Sequence, residues 1–194
     1  MTSQTPQNQE DDLARLIAAG LRRIAAPDAR FDGRWVLVEV RRQHLYLLDG
    51  PNILESWPVS TAATGVDNRE GSGGTPAGLH RIGRKLGHGA EPGMIFESRQ
   101  PTGILWRHST AQGEPVGADD LILTRILTLD GQEEGVNRGP GIDSRQRYIY
   151  IHGTNHEDRI GTPVSGGCVR MTNPDVVTLF DLSLIHISEP TRRH

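Results

Sequence analysis

Apolar residues along the chain alternate between a period of about four and a period of two. Leu13, Leu16, Ile17, Leu21 and Ile24 recur at helical spacing, which predicts an amphipathic helix over Asp12 to Ala26, ended near Pro27. The polar stretch Met1 to Asp12 before it reads as disordered. Arg34 to Ala63 then reads as a β-meander. Trp35–Val40 and His44–Leu48 are its first strands, Asp49-Gly50 marks a turn, and Trp57–Ser60 follows as a third strand. Gly65 to Gly74 is a glycine-rich loop, and its GSGG run lacks the GK[ST] of a phosphate loop. Lys85 to Gln112 shows no readable period.

The period of two returns in the second half. Asp120 to Leu129 predicts a long strand, and Arg147 to Ile151 another. Alternation sets Tyr148, Tyr150 and His152 on one face and Ile149 and Ile151 on the other. Val164 to Met171 reads as extended, so that Cys168 and Arg170 share a face while Val169 and Met171 enter a core. Asn173-Pro174-Asp175 opens a helix, with Asn173 as N-cap and Pro174 at the first helical position. Val176, Val177, Leu179 and Phe180 form its apolar side. The pattern as a whole predicts a mostly-β domain with one or two helices.

Composition narrows the functional classes. At 194 residues the chain suits a single domain with a substantial core. Aromatic residues make up 5%, so that core must be mostly aliphatic. A net charge of −3 gives no reason to expect a nucleic-acid partner. The single cysteine excludes an intramolecular disulfide and a CxxC metal or redox site. His80, His88, His108 and His156 show no ligand spacing, so neither a metal nor another cofactor is expected. No apolar run approaches the length of a transmembrane segment.

The candidate chemistry lies between Ile151 and Asp175. Cys168 follows Gly166-Gly167, and His152 precedes Gly153 at the end of a strand, where the glycine lets the chain turn. A cysteine nucleophile reacts as the thiolate and needs a base or a cation near it. His152 can take the proton, and Arg170 can bias the site towards the anion. Gly166 and Gly167 allow close approach of a substrate carbonyl, and their N–H groups with that of Cys168 can form an oxyanion hole. Ser165 reads as a turn residue or a substrate contact. Arg170 can equally pair with Asp175 or a carbonyl.

These residues resemble a known signature. His152-Gly153-Thr154, a loop, then Ser165-Gly166-Gly167-Cys168-Val169-Arg170-Met171 with Asn173 and Asp175 is similar to the HGT…S-x-G-C-[VI]-R-M-x-N-x-D pattern of the YkuD-type L,D-transpeptidases. Gly166 stands where many members carry a second histidine. Gly74 to Ile82 resembles a further segment of that family. The resemblance implies an L,D-transpeptidase-like β-sandwich or barrel. It also implies Cys168 as nucleophile and His152 as base, acting on peptidoglycan stem peptides, with acylation by carbapenems at the same cysteine. The base-orienting group is expected to be a backbone carbonyl. In the wider family the insertion corresponding to Lys85 to Gln112 lies over the site, so Trp106 reads as either groove wall or buried anchor.

The expected division is a polar segment and helix over residues 1–33, a catalytic domain over 34–182 and a tail over 183–194. That tail looks like a translated sequencing adapter, so the family's C-terminal strand is expected to be missing and a sheet edge unpaired. The implied substrate lies in the cell envelope, yet no signal peptide is visible, so a cytoplasmic location stays open beside a periplasmic one. Two other functions stay open as well: an L,D-carboxypeptidase that transfers to water, and a non-catalytic peptidoglycan-binding module.

Overall fold

The structure is a computed structural model that describes residues 6–24, 33–106 and 120–183. Helix α1 spans Pro6–Ile24 and strand β1 Arg34–Glu39. A tight 3-10 turn, Val40–Arg42, leads into β2, His44–Asp49, and β3 follows over Asn52–Pro58. These three strands form an antiparallel sheet in the order β1-β2-β3. Gln43 makes its tight connection possible by taking a left-handed conformation, φ +50°. The Gln43 side chain is buried and donates to Val40 O at 2.6 Å and Thr61 Oγ1 at 2.7 Å.

The second sheet holds β4 (His80–Leu86), β5 (Met94–Glu97), β6 (Gln100–Leu105), β7 (Ile122–Gly131), β8 (Tyr150–Gly153) and β9 (Val169–Met171). Its order is β6-β5-β7-β8-β9, with β4 also paired to β7. Neighbours are antiparallel except β8 and β9, which are parallel. A parallel pair needs a crossover, and residues 154–168 supply it. The segment after β3 joins the sheets, because Ser60 exchanges both backbone hydrogen bonds with Arg170 at 2.9 and 2.8 Å. Helix α2, Asn173–Leu182, closes the described chain.

Alternation along β7, β8 and β9 divides the apolar side chains between two clusters. Leu127, Ile151, Val169 and Met171 meet Leu45, Leu47, Trp57 and Val59 of the first sheet and Val176, Leu179 and Phe180 of α2. The other face carries Phe96, Ile126 and Tyr150, with Cys168 packed against them. Each fully buried aliphatic side chain contributes roughly 1.5–3 kcal/mol, so the first cluster carries the stability and the second frames a site. Lys85 donates to the carbonyls of Phe180 and Ser183 at the end of α2, where a cation suits the helix dipole.

Several expectations change. The helix at the start begins at Pro6, not Asp12, because proline fits a first helical turn and the acidic and amide residues after it tolerate helix. The strand expected over Arg147 to Ile151 begins at Tyr150. Tyr148 instead has φ +56° in a turn and is 59% exposed, so it does not share the ladder with Tyr150 and His152. The extended piece expected over Val164 to Met171 shortens to β9, since the chain bends at residues 166–168 and Gly167 takes φ +129°. Thr172 is the N-cap of α2, accepting from Asp175 N at 3.2 Å. Asn173 is the first helical residue, and its side chain is used elsewhere. The region without a readable period contains the rest of β4 and the whole β5–β6 hairpin. His108 and the tail over 184–194, with the strand expected to be missing there, lie outside the described residues.

Candidate active site

His152 lies in β8, and Cys168 is the last residue of the bend before its parallel neighbour β9. The β8–β9 register sets His152 opposite Arg170. Cys168, just before β9, packs against Tyr150 and Ile126, and Ile126 is the β7 partner of His152. The sulfur's hydrogen-bond partner is the Tyr148 carbonyl at 3.6 Å, not the His152 ring.

His152 is buried, at 2% exposure. Its Nδ1 lies 2.7 Å from the Gly153 carbonyl. That carbonyl can only accept, so Nδ1 carries the proton and Nε2 is left with a lone pair. Burial holds the His152 pKa below the ordinary imidazole value, while Asp120 pulls it up and Arg170 pushes it down. The imidazole is therefore neutral near pH 7 and able to accept a proton at Nε2.

Burial pushes the Cys168 thiol up to about 11. The Tyr150 backbone N–H and the charges of Arg170 and Arg147 favour the anion, and Asp120 opposes it. Burial wins, so the resting state is a thiol beside a neutral imidazole rather than a thiolate–imidazolium pair.

The loop that presents the sulfur is built from its own side chains. Ser165 is buried, donates to Cys168 O at 2.6 Å and accepts from Gly167 N at 3.2 Å. Its hydroxyl thus shapes the turn rather than facing a substrate. Thr75 donates to Gly167 O at 2.9 Å and ties the loop to the chain after the glycine-rich segment. A Cβ on Gly167 would lie 3.2 Å from both Gly74 O and Ile149 Cδ1, and the φ there already demands glycine. Gly166 is open and exposed. Gly153 is not at a positive φ; a Cβ there would strike Asn173 Oδ1 and lie 2.8 Å from Leu123 O. Close packing of β8, not a turn, is what requires this glycine.

Three features were absent from the sequence reading. Asp120 Oδ2 pairs with Arg170 Nη2 at 2.5 Å, so the partner of Arg170 is Asp120 and not Asp175. Arg170 also donates to Val164 O at 3.3 Å and is 5% exposed, which engages it inside the protein. Thr124 has φ +70° where the β7–β8 register shifts next to His152. A β-branched residue in that conformation is strained, and two hydrogen bonds hold it: Thr124 donates to Asn173 Oδ1 at 2.5 Å and accepts from Gly93 N at 2.9 Å. Arg147 donates to Asp67 O at 3.0 Å and Gly74 O at 2.6 Å, pinning the glycine-rich loop behind Cys168. Only Thr124, placed in an apolar strand, carried even a faint local signal. Asn137 supports the fold, since it is fully buried and donates to Ala77 O and Leu79 O. No group of three potential metal ligands occurs among the described residues.

Comparison with known proteins fits this geometry. A family model for the L,D-transpeptidase catalytic domain matches residues 33–186. The putative L,D-transpeptidase YqjB of Bacillus subtilis is 56% identical over 41 residues, which is 21% of this chain and 22% of that protein. An L,D-transpeptidase from Mycobacterium smegmatis has 15% identity and a TM-score of 0.43, over 79% of this chain and 55% of that one. An L,D-transpeptidase solved in complex with imipenem has 15% identity and a TM-score of 0.42, over 77% and 54%. The chain thus spans about half the length of these solved structures and under a quarter of the curated relative. Because that model matches most of this chain, the chain belongs to the L,D-transpeptidase catalytic domain family.

Proposed function

We propose that the protein is an L,D-transpeptidase that acts on peptidoglycan stem peptides through a Cys168 thioester. The observation that carries this reading is the His152 tautomer: Nδ1 is anchored on Gly153 O, and Nε2 is left to accept a proton on the face that bears Cys168. A base held in one tautomer beside a thiol is the arrangement that acyl transfer needs.

The steps follow from that geometry. The donor carbonyl enters over Cys168, His152 Nε2 takes the thiol proton, and the sulfur attacks the carbonyl carbon. Because the resting thiol is held high, proton transfer accompanies attack rather than preceding it. The Gly167 N–H is held by Ser165, so the Cys168 N–H, with the exposed Gly166 beside it, is the better donor to the oxyanion. Collapse breaks the carbon–nitrogen bond, and imidazolium His152 protonates the departing amine of the D-residue. An acceptor amine from a second stem or a lipoprotein then attacks the thioester, its proton passes to His152, and the thiol returns. This reading sets the work in the cell envelope, in peptidoglycan synthesis, with consequences for wall organisation and cell shape. A carbapenem would acylate the same sulfur, as the imipenem complex of a relative suggests.

Mass spectrometry of products from a disaccharide tetrapeptide tests the reaction. A cross-linked dimer supports it. Tripeptide alone makes water the acceptor and the protein an L,D-carboxypeptidase. Unchanged substrate that is nevertheless retained leaves a peptidoglycan-binding module.

A further inference from the structure

Three arginines bear on the site, and the two whose charges reach the thiol are engaged by the protein. Arg170 is held by Asp120 and Val164 O. Arg147 is held by Asp67 O and Gly74 O. The third, Arg99, sits at the tip of the β5–β6 hairpin, between the paired residues Glu97 and Gln100. Its guanidinium carbon lies 5.5 Å from the centroid of the Tyr148 ring, and the Tyr148 carbonyl is the group 3.6 Å from Cys168 Sγ. The same charge reaches Tyr150, whose hydroxyl burial pushes up and Arg99 pulls down. Tyr150 in turn packs in the cluster that contains Cys168. Among the described residues, no carboxylate pairs with Arg99 and no carbonyl accepts from it. It rests only on an aromatic face, half-exposed.

The hairpin turn adds an independent observation. Ser98 and Arg99 both have positive φ, +49° and +67°. This is the two-residue turn that favours Asn-Gly or Gly-Gly, because side chains disfavour a left-handed backbone. Arginine is a poor choice for that backbone, so the turn alone does not account for it.

We propose that Arg99 is a substrate-binding and specificity-determining residue that takes a carboxylate of the donor peptide in a bidentate pair; the assignment rests on the function proposed above. A guanidinium with its donors unengaged matches a carboxylate in geometry and charge. The residue that leaves carries a free carboxylate whose carbon is within about 4 Å of the attacked carbonyl carbon, by ordinary backbone dimensions. A carboxylate on the diamino-acid side chain is the second source of the same chemistry. Either would draw Arg99 off the Tyr148 face and bring the hairpin tip down over the sulfur.

The test is a cycle between protein and substrate. Wild type, Arg99→Lys and Arg99→Gly are each given three donors: the free tetrapeptide, its C-terminal amide, and the tetrapeptide amidated on the diamino-acid side chain. Thioester formation is followed by intact mass, and kcat/KM is measured for each pair. Amidating the recognised carboxylate should cost wild type roughly 10- to 100-fold. The Arg99→Gly variant should lose as much on the free acid and little more on that amide, and lysine should recover only part. Which amide shows the coupling names the carboxylate. Glycine suits the turn, so the urea midpoint of Arg99→Gly should equal or exceed that of wild type, which separates recognition from folding. Equal acid-to-amide ratios in wild type and Arg99→Gly for both amides would overturn the inference while leaving the reaction intact. A wild type that forms no thioester with any donor would overturn both.

Discussion

Asp120 Oδ2 lies 2.5 Å from Arg170 Nη2, and this ion pair sets the charge beside His152. Arg170 is buried while Asp120 is 42% exposed, so the pair is neither a free surface contact nor a wholly desolvated one. Asp120→Asn leaves a buried guanidinium without its counter-charge. It should cost about 1–3 kcal/mol, less than a fully buried pair because water screens one partner. The sign on His152 follows from its neighbours. Asp120 raises that pKa and Arg170 lowers it, so losing the carboxylate lowers it further. The acid limb of the pH–rate profile should therefore move to lower pH, and an unmoved limb would separate Asp120 from the base.

Burial of a neutral imidazole also links His152 to stability. Its folded pKa is depressed below the ordinary value of 6.5, so protons bind the unfolded chain first as pH falls. The contribution is fully present above about pH 6.5 and is lost as pH falls from there through the folded pKa. His44 and His80, also lowered by burial, act in the same direction. Urea midpoints at pH 7.5 and 5.5 should therefore fall for wild type and fall less for His152→Gln.

The thiol predicts its own reactivity. With Cys168 pushed up to about 11, alkylation by iodoacetamide should be slow at pH 7 and rise about tenfold per pH unit towards that value, as the thiolate fraction grows. A plateau below pH 8 would mean that a thiolate–imidazolium pair already exists without substrate. His152→Ala should slow the turnover of donor peptide far more than it slows this alkylation.

Backbone fit around β8 gives a stability test. Gly153→Ala directs a methyl group at Asn173 Oδ1 and the Leu123 carbonyl, and a backbone carbonyl has little freedom to move. A loss of about 1–3 kcal/mol is expected, with activity falling as His152 shifts. Thr124→Ala removes both the donor to Asn173 and the acceptor for Gly93 N, which should cost about 1–3 kcal/mol where those partners stay buried. Urea denaturation of each variant checks both values.

The candidate pair and the inner strands were legible in the sequence for physical reasons. Cys168 and His152 sit in local runs of glycine, arginine and small polar residues that no core requires, so pattern alone separates them from packing. Leu45, Leu47, Ile151, Val169 and Met171 alternate because one face of each strand enters the aliphatic core. The β5–β6 hairpin was unreadable because β6 buries neither face and Ile104 is 64% exposed. The start of β3 was missed for the same reason, since only Trp57 in that strand is buried. Asp120 could not be found from its neighbours: it arrives at Arg170 from 50 residues away, and no local spacing records that meeting. Ser165 had two readings, and the turn is the one the structure shows. Its place in the motif suggested substrate, while its hydroxyl shapes the loop that holds Cys168.

The central claim is that Cys168 is the nucleophile, and the most direct measurement is the intact mass of the protein after incubation with imipenem. Wild type should gain the mass of one carbapenem, and Cys168→Ala should gain none while keeping the wild-type unfolding free energy in urea to within about 1 kcal/mol, since a half-buried sulfur contributes little packing. An adduct on Cys168→Ala, or an unmodified wild type under conditions where the Cys168 thiol alkylates, would contradict it.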